Sequence, residues 1–316
     1  MDLSRQHEPV SKLFNSPQAP GEWQGYALSR EQVQSYEENG FLPGIQVLDS
    51  LQLEQLRDEL NKVIDPGHPD NSLFYEFHLN EAEDEGKVLF HALGAWQLEP
   101  ALHDLPWAPA LRMAAHQLLG GAVRLFHDQL FIKPPEHGGL VAWHQDYSYW
   151  TWTEPMGHLS CWIPLDDAGA DNGCLQYIPG SHRWGLLPIT GLTGEMDAAR
   201  EVLDDSQCEA LDSPVLAEVP AGHGVFHHPL TLHGSAENRS GNPRRAIVIN
   251  MVLDGVRSNA EILAGKDTHN FPILPQGRAI SGRYYPMLFS PDKELGAERP
   301  GLPLVANSME QSPEQE

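Results

Sequence analysis

Two textures of apolar and polar positions divide the chain. Between residues 29 and 120 the apolar positions recur at three-to-four spacing. Ser29 followed by Gln32 is a capping-box pattern that opens SREQVQSYEENG, and Gly40 is a stop signal. Asp49 and Gln52 repeat the pattern before LQLEQLRDELNKVI, where Leu53, Leu56, Leu60 and Val63 form an amphipathic stripe. A third helix is predicted over Pro109 to Leu119, with Pro at its start and Gly120-Gly121 beyond its end. From residue 122 the period shortens. AVRLFHDQLFIKPP, GHLSCWIPLDD, GVFHHPL and RRAIVINMV read as strands, separated by the turn clusters PPEHGG, GADNG, PGSH and ENRSGNP. Helices first and many short strands later predict a mainly β domain with flanking helices. Its core is an antiparallel double-sheet barrel of the jelly-roll or cupin kind.

Composition sharpens the boundaries. The first 22 residues are polar and Pro-rich and read as a flexible N-terminal arm. Residues 298–316, rich in Pro, Gly, Ser, Glu and Gln, read as a flexible C-terminal tail. A single domain is expected over 23–297, since one large barrel with helical additions accommodates the 316 residues. Residues 66–90 are long and acidic and lack clear periodicity, which fits a lid or a plain surface loop.

Charge narrows the partners. The formal net charge of −24 is a poor match for phosphate backbones or anionic membranes, so neither nucleic acid nor membrane is expected. No apolar run approaches the roughly 18 residues of a membrane span, and MDLSRQHEPV has no signal-like apolar stretch. Cys161, Cys174 and Cys208 show no C-x-x-C spacing. A reduced, cytoplasmic setting follows as the expectation. A small-molecule substrate is the expected partner, and the oligomeric state is left open.

Candidate chemistry lies in the histidines. There are 16, and with 44 acids in the chain about two His-X-acid pairs arise by chance. Two occur. His68 and Asp70 sit in the Pro/Gly-rich loop DPGHPDNS, which reads as a solvated turn. His144 and Asp146 sit in VAWHQDYSYW, which reads as a strand and so points both to one face. An imidazole and a carboxylate inside a barrel can hold two positions of an octahedral metal, and a second histidine completes a facial triad with three positions open. His158, His182, His223, His227, His228, His233 and His269 compete for that place. His233 is favoured because Arg244 opens the return strand eleven residues on, where a buried guanidinium would bind a carboxylate.

At this point the blocks QLFIKPP, WHQD, CWIPLDDAGADNGCLQYIPGSHRWG and VFHHPLTLHGSAENRSGNPRRAI match in order. Together they resemble the phytanoyl-CoA dioxygenase family of Fe(II)- and 2-oxoglutarate-dependent oxygenases, over about residues 30–255. The resemblance implies a double-stranded β-helix, iron ligands His144, Asp146 and His233, and Arg244 on the far carboxylate of 2-oxoglutarate. It implies Ser235 as an aid to Arg244, and Trp162 and Gln129 along the cosubstrate pocket. It implies O2 as cosubstrate, and hydroxylation of an unactivated C–H with succinate and CO2 as co-products. The family's N-terminal Lys on 2-oxoglutarate has no clear match here; His91, in KVLFHALG, is the candidate in its place. His182 reads as closing a turn. Some relatives leave the carboxylate position open for chloride; Asp146 argues against halogenation. Tyr147, Tyr149, Trp150 and Trp152, directly after the metal motif, are candidates for the substrate pocket, and their aromatic faces would suit a cation. Few Lys or Arg are on offer for CoA, so an acyl-CoA substrate is not carried over. The alternatives are a cupin-like metal or small-molecule binder without turnover and, more weakly, a zinc hydrolase at the same ligands.

Overall fold

A computed structural model describes residues 1–296 and 301–305. The three expected helices form where their caps place them. The helix α1 (Arg30–Asn39) has a closed Ser29/Gln32 capping box and ends at Gly40, whose φ of 82° suits a residue without a Cβ. The helix α2 (Ser50–Val63) is capped by Asp49 and buries Leu56, Leu60 and Val63 completely. A short helix α3 (Pro100–Asp104) precedes α4 (Pro109–Leu119), which packs on the main sheet.

The larger sheet runs, in spatial order, β1 (Phe41–Gln46), β10 (His223–His227), β7 (His158–Pro164), β12 (Arg244–Leu253), β4 (Val123–Lys133), β3 (Phe90–Leu93) and β2 (Glu76–His78). Strand β14 (Met287–Phe289) also pairs with β4. The smaller sheet is β5 (Val141–His144), β11 (His233–Ser235), β8 (Leu175–Tyr177) and β9 (Val215–Leu216). A two-stranded ribbon joins β6 (Thr153–Glu154) to β13 (Arg257–Ser258). All ladders are antiparallel, and the core is the double-stranded β-helix of a jelly roll with flanking helices.

Two local expectations change. Strands β1, β2 and β3 lie among the helices, so the division into helices first and strands later is not sharp. The stretch 66–90 contains β2 and the first residue of β3. The strand through His144 also stops there: Asp146–Tyr149 is a 3-10 turn, not strand.

The first 22 residues lie against the body. Leu3 and Phe14 are buried, and the Val10 and Ser11 amides each donate to the buried Asp104 carboxylate at 2.7 Å. Of the C-terminal tail only 301–305 is described; there the Val305 amide donates to the Gln117 carbonyl at 2.9 Å, and the remainder lies outside the described residues. Among the described residues no helix is long and apolar enough to cross a membrane.

Register organises the inner face of the large sheet into rows. On β12, Arg244, Ala246, Val248 and Asn250 share one face. Arg244 pairs with Lys133. Val248 pairs with Gln129 on one side and Trp162 on the other. Asn250 pairs with His127 and Ser160, and Ser160 in turn with His227. One row is therefore cationic, one mixes Gln129, Val248 and Trp162, and one is a line of uncharged polar groups and imidazoles.

Candidate metal centre and anion site

His144 closes β5 and His233 opens β11, directly opposite each other in the antiparallel ladder; their ring centroids are 4.2 Å apart. Asp146 enters from the turn after β5. Its Oδ1 lies 3.6 Å from His144 Nε2 and 3.7 Å from His233 Nε2, and the three ligand atoms fall within 4.8 Å of one another. Each histidine directs Nδ1 at a carbonyl two residues back: Ala142 at 2.8 Å and Thr231 at 2.9 Å. Carbonyls only accept, so both rings carry the proton on Nδ1 and present a bare Nε2 lone pair. Burial and the neighbouring imidazoles push His233 well below the usual range, which keeps it neutral. Burial works upward on Asp146, but its histidine neighbours, His233 first and then His144 and His227, outweigh it and hold the carboxyl well down.

The other oxygen of Asp146 is clamped. Ser160 Oγ donates to Oδ2 at 2.5 Å, and His227 Nε2 donates to it at 3.0 Å. His227 can donate there because its Nδ1 accepts from Tyr177 Oη at 3.0 Å. Ser160 also lies 2.9 Å from the Asn250 amide, which reaches His127 at 3.3 Å. The polar row of the large sheet thus fixes the carboxylate of the small one, and leaves Oδ1 alone to face the two histidines. Two imidazole nitrogens and one carboxylate oxygen on one side of a cavity are the donor set of a non-haem iron site with positions left open. The residues fit the metal.

At the other end of the cavity Arg244 is 1% exposed and Lys133 fully buried. Arg244 donates to Ser235 Oγ at 3.1 Å and sits 5.4 Å from the Trp162 ring centroid. Lys133 Nζ reaches Ser235 Oγ at 2.6 Å and the Ala236 carbonyl at 2.6 Å. Ser235 is packed against Gly173, whose φ is +76° and where a Cβ would stand 2.3 Å from the Ala236 carbonyl oxygen. Arg244 Nε has no hydrogen-bond partner. Among the described residues no carboxylate is in ion-pair distance of either cation. Burial lowers Arg244 to about 10, and burial with the Arg244 charge lowers Lys133 further from its usual value. Two buried cations with an orphan donor call for an anion. A carboxylate supplied by a dicarboxylic acid fits there. Arg245 points the opposite way and pairs with Asp166 at 2.6 and 2.9 Å.

A cavity of about 510 Å³ joins the two ends. Gln129, Trp162, Ser235, His91, Tyr149 and Trp150 line it with the triad. Tyr147 does not. Its hydroxyl donates to the Thr153 carbonyl at 2.6 Å and it packs on the core. The 3-10 turn explains the difference: in such a turn residues three apart eclipse, so Tyr149 follows Asp146 into the cavity and Tyr147 turns away. His68 lies elsewhere, 3.4 Å from Glu99, and His182 sits tilted against His228 with ring centroids 5.3 Å apart, outside the cavity.

Several residues escaped sequence reasoning. Lys133 was detectable: with Gln129 taken as inward, period two places Phe131 and Lys133 on the same face. Ser160 carried the same signal relative to Trp162. Glu76 and Glu81 were covered only by the lid-or-loop reading of 66–90, and between Lys266 and Ile273 only His269 carried a signal, as a competing ligand rather than as cavity lining.

The family described as phytanoyl-CoA dioxygenase matches residues 36–246, about two thirds of the chain. A probable phytanoyl-CoA dioxygenase of Caenorhabditis elegans is 26% identical over 237 residues, covering 71% of this chain and 75% of that one. The L-proline trans-4-hydroxylase of Streptomyces griseoviridis is 28% identical over 231 residues, covering 68% and 82%. Among solved structures, the non-heme alpha-ketoglutarate-dependent carbocyclase SnoK from nogalamycin biosynthesis superposes with a TM-score of 0.67 at 22% identity, over 87% of this chain and all of that one.

Proposed function

The chain belongs to the phytanoyl-CoA dioxygenase family, and from that premise we propose that it is an Fe(II)- and 2-oxoglutarate-dependent hydroxylase of a small organic molecule. The single observation that carries the reading is the pairing, in one cavity, of a three-donor triad with a buried arginine whose Nε has no partner and which, among the described residues, has no carboxylate beside it. His144, Asp146 and His233 would hold the ferrous ion. Arg244, with Ser235 and Lys133, would bind the far carboxylate of 2-oxoglutarate and so aim its keto-acid end at the metal. Trp162 and Gln129 would wall the cosubstrate. With iron, 2-oxoglutarate and O2 bound, the metal centre supplies oxidation of a substrate C–H to an alcohol as 2-oxoglutarate becomes succinate and CO2.

The protein's own contribution is positioning. Ser160 and His227 hold Asp146 in one orientation, the two carbonyls hold the histidine tautomers, and the buried Trp150 and Trp152 give the cavity an apolar wall. The proline hydroxylase relative takes a small molecule by its name, which agrees with the cavity's size. A binder without turnover would have no use for open metal positions beside an anion clamp.

Anaerobic addition of Fe(II) and then 2-oxoglutarate tests this. A weak visible charge-transfer band, followed on exposure to air by succinate release, is the expected result. A band without succinate means a binder, and no band with Fe(II) but hydrolysis with Zn(II) means a hydrolase.

A further inference from the structure

The outer half of the cavity has a chemistry opposite to that of the inner half. Its charged lining is Glu76, Glu81 and Asp267 against Lys266 alone, with Lys266 and Asp267 both exposed on the rim. Glu76 is in β2 and Glu81 follows it. His91, on the neighbouring β3, is more than nine-tenths buried and stacks on Phe131 at 4.4 Å. Its Nε2 meets Gln129 Oε1 at 3.0 Å, and its Nδ1 lies 2.8 Å from Glu81 Oε2, an ion-pair contact without hydrogen-bond alignment. His78 is more distant, 3.4 Å from Glu76 and 3.6 Å from Glu81. A half-buried carboxylate therefore stands in the cavity wall, flanked by His91 at 2.8 Å and His78 at 3.6 Å.

Tyr149 links this wall to the metal centre. Its ring is 6.4 Å from the His144 ring. It lines the same cavity as Glu81, and its hydroxyl is pushed up to about 12, by burial first and then by the charges of Asp146 and Glu81. Around it the lining is aromatic: Trp150 and Phe271 meet His127 edge-on at 5.5 and 5.3 Å, and Trp152 meets Phe271 at 5.6 Å. Carboxylates beside aromatic faces, in a concave and partly desolvated cavity wall, recognise an organic cation.

We infer that the substrate carries a cationic nitrogen, an ammonium or similar group, seated between Glu81 and the Tyr149 ring, with a C–H of the same molecule presented to the triad. This rests on the oxygenase reading above and adds the charge of the substrate to it. The multiple negative charges of an acyl-CoA would meet Glu76, Glu81 and Asp267 with only Lys266 to offset them. Such a substrate is disfavoured by the same lining.

The test uses the full chain loaded with Fe(II) and 2-oxoglutarate. Succinate release is measured with matched compounds: amines and amino acids, their N-acetylated counterparts, simple carboxylic acids and acyl-CoA thioesters. Stimulation confined to compounds with a free cationic nitrogen, and abolished by N-acetylation, is the expected result. In Glu81→Gln the half-saturating concentration of a stimulating amine should rise about tenfold or more, and Glu81→Asp should recover part of it. Glu76→Gln, at the edge of the sheet, is the second variant and should shift it in the same direction. The inference is overturned if neutral or anionic compounds stimulate as well as cations, if no cation stimulates, or if neither variant shifts the constant more than twofold. The Fe(II)·2-oxoglutarate band separates the two claims. Its absence from the unaltered protein ends the oxygenase reading, whereas its presence with a neutral or anionic substrate ends only this one.

Discussion

At the inner end of the cavity nearly every polar side chain is held by strand register: Arg244 against Lys133, Asn250 against Ser160 and His127, His233 against His144. At the mouth the lining comes from turns and loops, with Tyr149 and Trp150 after β5, Glu81 after β2, and Lys266 to Ile273 beyond β13. The inner end is built to hold charged ligands of fixed geometry. The mouth has fewer ladder hydrogen bonds to fix it, and it is where a substrate of particular shape would be selected. The difference teaches that chemistry and specificity are carried by separate parts of one cavity. Changes at the inner end should abolish or weaken loading of metal and cosubstrate, and changes at the mouth should alter only which substrate is used.

The largest expected effect is from Asp146→Ala. It removes one of three protein ligands, and hydroxylation is lost while some iron remains in the presence of 2-oxoglutarate. Product analysis with excess chloride checks it, and full hydroxylase activity would remove Asp146 from the ligand set. Next is Arg244→Lys, which keeps the charge but loses the planar fork. Losing a buried charged partner costs about 2–5 kcal/mol, so half-saturation by 2-oxoglutarate should rise ~30-fold or more. Ser160→Ala frees one side of Asp146 without touching the metal and should weaken Fe(II) affinity about tenfold, read by anaerobic titration. The smallest effect is from Arg245→Lys. Arg245 faces outward against Asp166, and a pair near the surface is worth at most about 1 kcal/mol, so 2-oxoglutarate binding should move less than about threefold. A larger response to Arg245→Lys than to Arg244→Lys would mean that the inner end is not built on the register described.

What was legible in the sequence follows the same division. The capped helices, the strands from residue 122 and the pairing of Arg244 inward with Arg245 outward all rest on a clear period, and they hold in the structure. His144 and Asp146 were readable as a pair, but the reason was not: they meet through a 3-10 turn rather than by strand alternation. That turn is also why Tyr149, and not Tyr147, faces the cavity. The role of His227 was hidden because its place depends on two sheets meeting, with Tyr177 on one and Ser160 on the other. Glu76 and Glu81 lie in a segment without periodicity, and nothing local marks them as part of a cavity wall assembled from distant loops.

His227 and His233 test the central claim most directly, because both lie beside Asp146 with ring centroids 4.4 Å apart. Only His233 presents a bare Nε2 to the same point as His144 and Asp146 Oδ1; His227 uses its Nε2 to hold Asp146 Oδ2. The measurement is iron stoichiometry after anaerobic reconstitution of His233→Ala and His227→Ala at Fe(II) equal to a small excess over protein. The account predicts that His233→Ala retains no stoichiometric iron, while His227→Ala still binds one equivalent with about 10–100-fold lower affinity. Undiminished iron in His233→Ala, or loss of stoichiometric binding in His227→Ala alone, would contradict it.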